Sequence, residues 1–198
     1  MLSVRGLRRP GVALEAFDLA DGACVAVRGP SGAGKTLLLR ALADLDPNQG
    51  EVTLDGEARD AMPAPRWRRL VTYLAAEPAW WADTIGEHFA DWAAAAPLIA
   101  ALGLPEDCRN WSVAHASTGE RQRLSLARGL AHRPRVVLLD EPTSGLDDEA
   151  RRRAEDLLLE HFGHGLGALW VTHDDAQAHR VAERCLIVAD GRAREAAL

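Results

Sequence analysis

Short runs of consecutive apolar residues recur along the chain, separated by longer stretches in which leucines and alanines fall at helical spacing. Ala23 to Arg28 (ACVAVR) reads as a buried strand, and Lys35 to Leu45 as a helix after it. Glu51 to Leu54 predicts a short strand closed by the turn Asp55-Gly56, and Val71 to Leu74 predicts another. From about Thr84 to Ala131 the strand signals stop. Helical patterns rich in Ala and Leu take over, broken at Pro97 and Pro105. Val136 to Asp140 (VVLLD) is apolar enough for a strand buried on both faces. Asp147 to His161 reads as a charged amphipathic helix, and Ala168 to Thr172 and Cys185 to Ala189 as the last strands. The alternation predicts an α/β sheet with crossover helices. Residues 84–131 are expected to form a helical subdomain inserted in that core, within one domain spanning 1–198.

Composition narrows the class. With 198 residues, 47% of them hydrophobic and 26% charged, the chain suits one globular domain. A net charge of −6 argues against a nucleic-acid partner, which selects for a basic surface. No stretch approaches the roughly 18 apolar residues that cross a bilayer. The first residues, Met1 to Arg5, lack a signal peptide's apolar core. The chain is therefore expected in the cytoplasm, reaching the inner face of a membrane only through a partner. Cys24, Cys108 and Cys185 are far apart and suggest neither a disulfide framework nor a thiolate metal site.

The most specific motif follows the first buried strand. Gly29, Pro30, Ser31, Gly32, Ala33, Gly34, Lys35 and Thr36 fit G-x-x-x-x-G-K-[ST] at every fixed position. Glycines let the backbone wrap a polyphosphate and bring N–H groups close. The helix that follows aims its free N–H groups and positive dipole end at the same anion. Lys35 adds a full charge near the β- and γ-phosphates, and the Thr36 hydroxyl suits Mg²⁺, which takes oxygen ligands. By itself the motif indicates a nucleotide binder without separating transport ATPases from kinases or GTPases.

The strand Val136 to Asp140 ends in two carboxylates. Asp140, at its tip, is placed to hold Mg²⁺ directly or through water. Glu141 follows as a general base for the attacking water. His173 stands at the end of the strand Ala168 to Thr172, where ligands of parallel sheets gather, and is placed to reach the γ-phosphate.

Ala116-Ser117-Thr118-Gly119-Glu120-Arg121-Gln122-Arg123, with Leu124 to Arg128 behind it, resembles the signature of the ABC (ATP-binding cassette) ATPases. Together with Gly29–Thr36, Asp140-Glu141 and His173, the resemblance covers nearly the whole chain. It implies a P-loop NTPase (RecA-like) core with an antiparallel β portion and an inserted helical subdomain. It implies ATP and Mg²⁺ as ligands and a head-to-tail pair of identical subunits. Ser117, Thr118, Gly119 and Glu120 of one copy would face ATP held by the other, with Asp147 at the interface. A transmembrane permease subunit would be the further partner. Val71 to Ala75, Thr84 to His88 and Leu169 to Asp174 are similar to short bacterial subunits of the iron-export and YbbL-like type. The alternatives are a non-transport ABC ATPase and a nucleotide-dependent regulator of low turnover.

Three positions depart from the family pattern. Ala76 stands where the family has a glutamine that senses the metal or the attacking water, with Glu77 next to it as a substitute. Thr118 replaces the first signature glycine and is expected either to crowd the helix entry or to cap it through its hydroxyl. Leu7 to Val12 carries no aromatic to stack on adenine, leaving Arg8 or Arg9 for that task. The adjacent Trp80 and Trp81 are expected to leave one ring exposed for a partner.

Overall fold

The computed structural model describes residues 1–198. Two strands that the apolar pattern does not predict open the chain: β1 (Leu2–Arg9) and β2 (Val12–Leu19), paired antiparallel. Their buried positions are Leu2, Val4 and Leu7, then Val12, Leu14, Phe17 and Leu19. In each strand the alternation slips by one residue midway. At that level Gly6 has φ +60°, and the pairing of β1 with β4 (Gln49–Leu54) shifts register between Arg5 and Arg8. A strict two-residue repeat is thus broken in both strands, which hides them from a periodicity search. The two-residue strand β5 (Glu57–Ala58) completes this antiparallel portion beside β4.

The expected strands form the other portion. They are β3 (Cys24–Arg28), β6 (Val71–Leu74), β7 (Val136–Asp140), β8 (Gly167–Val171) and β9 (Arg184–Ala189), all mutually parallel. A last strand, β10 (Arg192–Ala197), runs antiparallel to β9 and touches β2 in parallel. It joins both portions into one sheet of ten strands in the order β5-β4-β1-β2-β10-β9-β3-β8-β7-β6.

The helices pack on both faces. α1 (Lys35–Leu42) is shorter than the apolar pattern predicts, because Asp44 turns into a left-handed conformation at φ +57°. α2 (Ala64–Leu70) buries Trp67, whose indole N–H donates to the Leu42 carbonyl at 2.9 Å. Residues 84–131 contain α3 (Trp92–Ala101) and α4 (Thr118–Ala131), with 3-10 turns at Ile85–His88 and Glu106–Asn110. The predicted break at Pro97 does not occur, and α3 runs through it. The ring forfeits one helical hydrogen bond. Burial of Ala95 and Ile99, and the Asp91 cap on the Ala94 N–H, hold the helix regardless. α5 (Asp148–Gly163) and α6 (Asp175–Val181) complete the set. None of the helices is long and apolar enough to cross a membrane.

β7 explains the run VVLLD. Val136 and Leu138 enter a core with Leu38, Leu42 and Leu169 on one face, while Val137 and Leu139 join Leu124, Leu158 and Trp170 on the other. Neither face meets water, so no polar alternation is possible. Because β3, β8 and β7 are adjacent and parallel, their carboxyl ends deliver the 29–36 loop, His173 and the Asp140-Glu141 pair to one edge of the sheet.

Candidate functional site

The loop 29–36 leaves β3 in a conformation that only small residues permit. Gly29 has φ +141°, and a Cβ there would lie 2.0 Å from the Val188 carbonyl oxygen. Gly34, at φ +106°, approaches the Gly11 carbonyl so closely that a Cβ would come within 2.8 Å of it. Pro30, Ser31 and Gly32 form the exposed tip of the loop, and Ala33 packs against the core beside it. The buried Lys35 starts α1 and turns its ammonium back into the loop, donating to the carbonyls of Gly29 at 2.9 Å and Pro30 at 3.0 Å. The cation is held at the cradle by weak neutral acceptors that a phosphate oxygen readily outcompetes.

Thr36 and Asp140 meet, as a shared metal site requires. The Thr36 hydroxyl donates to Asp140 Oδ2 at 2.8 Å. The same oxygen accepts from the Tyr73 phenol at 2.9 Å. Burial first, and the Asp140 charge second, push the Tyr73 hydroxyl well above its ordinary pKa, so it remains a donor. A hard carboxylate and a hydroxyl side by side at the mouth of a phosphate loop suit Mg²⁺.

Glu141 has φ +49°, a strained value for a side chain of its size. Its amide is tied to the Val171 carbonyl at 3.2 Å. That turn brings its Oε1 to 3.2 Å from His173 Nε2, with both groups partly open to solvent. The two line a polar cleft of about 170 Å³ with Thr143, Arg151 and Gln177.

The signature stretch lies elsewhere on the surface. Ser117 caps α4 and forms a reciprocal box with Glu120. The Ser117 amide and hydroxyl each donate to Glu120 Oε2 at 2.8 Å, while the Glu120 amide returns a bond to Ser117 Oγ at 3.3 Å. These donors hold the Glu120 carboxyl below its ordinary pKa. The cap is Ser117, not Thr118 as one expectation had it. Thr118 is exposed, and its hydroxyl only accepts from Arg121 at 3.5 Å. The Gly119 face packs toward Leu146 and Gly145. No hydrogen bond or ion pair joins Ser117, Thr118, Gly119 or Glu120 to residues 29–36 of the same chain. Asp147 is exposed and caps α5, accepting from the Ala150 amide at 2.8 Å, which lowers its pKa.

The departures acquire physical content. Ala76 is half-buried, and the exposed Glu77 makes no hydrogen bond or ion pair. Arg9 is not free to stack on a base. It pairs with Asp46 at 2.5 Å, and Arg40 holds the same carboxylate at 2.7 Å. Arg8 is exposed and pairs with Glu15 at 3.0 Å. Of the tryptophan pair, Trp81 is 70% exposed, while Trp80 packs against the core. The Arg128 guanidinium lies 4.6 Å from the Trp80 ring centre and 5.0 Å from that of Trp81. Sequence reasoning missed Tyr73, Thr143 and Gln177. Tyr73 is the chain's sole tyrosine, in the short strand β6 that ends near the Asp140 edge, and that was the available signal.

The profile of the family described as ABC transporter matches residues 15–144. The chain is 39% identical over 192 residues to the Fe(3+) ions import ATP-binding protein of Streptomyces coelicolor, covering 89% of this chain and 54% of that protein. It is 36% identical over 195 residues to the aliphatic sulfonates import ATP-binding protein of Cupriavidus necator, covering 89% of this chain and 60% of the relative. The chain thus spans little more than half the length of these relatives. Among solved structures it is similar to the ATP-binding subunit of an ABC transporter, with a TM-score of 0.88 and 26% identity over 100% of this chain and 90% of that one. A dimeric ATP-binding cassette bound to ADP and phosphate has a TM-score of 0.82 at 24% identity, covers 100% of this chain and 99% of its own, and shows the shared fold.

Proposed function

The chain belongs to the ABC transporter family, and from that membership we propose that it binds ATP with Mg²⁺ and hydrolyses it to drive a membrane permease. One observation carries the reading. The adjacent ends of β3, β7 and β8 gather a phosphate cradle with its lysine, the Thr36–Asp140 pair and the Glu141–His173 pair at a single edge.

The residues divide the work. The amides of residues 29–34 and the Lys35 ammonium bind the phosphates. Thr36 and Asp140 would hold Mg²⁺, which would supply positive charge against the charge that develops on the phosphates. The Glu141 carboxylate takes a proton from the attacking water. His173, at 3.2 Å from it, is positioned to donate to the γ-phosphate and to register its loss. Ser117, Thr118, Gly119 and Glu120 find no partner on their own chain's cradle. Their exposed helix tip therefore serves a second copy, with Asp147 in the same interface and a head-to-tail homodimer as the result. Trp81 over Arg128 offers an exposed aromatic docking point for a permease, which would bring the chain to the cytoplasmic face of a membrane.

The two relatives carry import names for different cargos, ferric ion and sulfonates. Cargo choice then lies with the permease, and the iron-export expectation draws no support from them. The methyl group at position 76 favours a second reading, a nucleotide-dependent regulator of low turnover. Steady-state phosphate release separates the two. The ATPase reading expects turnover that a Glu141→Gln variant loses while keeping nucleotide. Release no faster from the parent than from that variant would favour the regulator.

A further inference from the structure

Glu141 and His173 stand on separate loops, at the ends of β7 and β8. Both side chains are partly exposed, at 36% and 49%, so packing does not fix their separation. Directly behind them is a polar cluster that the hydrolysis scheme does not use. Thr143, Glu155 and Gln177 are 5%, 5% and 3% exposed. The Gln177 Nε2 donates to Thr143 Oγ1 at 2.8 Å and to Glu155 Oε1 at 2.7 Å. Arg180 completes the Glu155 carboxylate with bonds of 3.1 and 3.0 Å.

The cluster has a definite route through the chain. Thr143 is two residues beyond Glu141. Gln177 sits in the first turn of α6, whose cap Asp174 immediately follows His173 and accepts from the Gln177 amide at 3.0 Å. Glu155 belongs to α5, capped by Asp147. A single amide thus ties the Glu141 loop, the His173 loop and α5 together. The chemistry requires an amide at that position. Its NH₂ supplies two donors to two acceptors. A carboxylate there would face Glu155 with like charge.

We propose that Gln177 is a positioning residue for hydrolysis. Through Thr143 it fixes the loop of Glu141 against the loop of His173 and so sets the carboxylate–imidazole separation. The proposal rests on the ATPase reading above.

The test uses the whole chain with three substitutions: Thr143→Val, which removes the hydroxyl at nearly constant shape, Thr143→Ser, which restores it, and Gln177→Leu. The readouts are kcat and KM for ATP, the ring NMR signals of His173 in the nucleotide-free protein, and thermal unfolding. Thr143→Val is expected to lower kcat about tenfold or more with KM within about twofold, as for a misplaced reacting group. Thr143→Ser recovers most of that loss. Combining Thr143→Val with Gln177→Leu costs no more than Gln177→Leu alone, because that variant already removes the bond that Thr143→Val cuts. The His173 signals move in the Val and Leu variants and return in the Ser variant. The proposal is overturned if Thr143→Val keeps its kcat, if the His173 signals stay in place, or if losses add and merely follow stability. Should the parent show no turnover, the ATPase reading falls, and the His173 signals still decide this one.

Discussion

The Tyr73 phenol donates a 2.9 Å hydrogen bond to Asp140 Oδ2, the oxygen that also accepts from Thr36. β6 and β7 are neighbours in the sheet, so the aromatic reaches across one strand spacing to orient a carboxylate buried at the strand tip. Tyr73→Phe keeps the ring and removes the donor. It is expected to lower unfolding stability by about 1.5 to 3 kcal/mol, the range for a bond to a charged group. It should also raise the Mg²⁺ concentration needed for half-maximal nucleotide binding. Denaturant titration and a Mg²⁺ titration check the two parts. A variant equal to the parent in both would show that Asp140 needs only Thr36.

Ala76 leaves a methyl group where the family has an amide. Glu77 is exposed and makes no hydrogen bond or ion pair that would aim it at the Thr36–Asp140 pair. Ala76→Gln should therefore raise the steady-state ATPase rate several-fold with little change in stability. An unchanged rate, measured by phosphate release, would indicate that Glu77 already fills the role once nucleotide is bound.

Base recognition is expected to be weak. With Arg9 engaged by Asp46, Arg40 on the same carboxylate and Arg8 paired with Glu15, neither guanidinium that the sequence offers for stacking is unpaired. ATP and GTP should bind within a few-fold of each other in calorimetric titrations. A large preference for ATP would require Arg8 or Arg9 to leave its ion pair.

That ion pair also makes a pH prediction. Arg40, then Arg9, hold the Asp46 carboxyl down at about 2 from the usual 3.8. A depressed folded pKa adds stability that is present above 3.8 and is lost as pH falls toward about 2. Asp46→Asn should cost about 1 kcal/mol at neutral pH, the scale of a partly exposed charge network. The gap between variant and parent should close across that acidic window in denaturation curves. A gap that persists below it would assign the loss to packing.

Much of this was legible in the sequence, for reasons that can be named. The continuous run VVLLD is a strand buried on both faces, and G-x-x-x-x-G-K-[ST] is dense enough in special residues to be read without a fold. The Ser117–Glu120 capping box was encoded in the spacing of its two residues but went unread, the cap being sought at Thr118. β1 and β2 were not legible, because a bend at Gly6 shifts the apolar phase in both. Pro97 misled, since local preference for a break lost to the packing of Ala95 and Ile99. The hydrogen bonds of Tyr73 to Asp140 and Gln177 to Thr143 join residues 67 and 34 positions apart. No local pattern encodes them, and only the folded sheet brings them together.

The central claim is that a magnesium triphosphate is clasped between the Lys35 loop of one copy and the Ser117 helix tip of another. Sedimentation of a Glu141→Gln protein, with and without Mg-ATP, tests it most directly. The account predicts monomers without nucleotide and dimers with it, and monomers again when Lys35→Ala or Ser117→Arg is added. Dimers that form without nucleotide, or that persist with either added substitution, would contradict it.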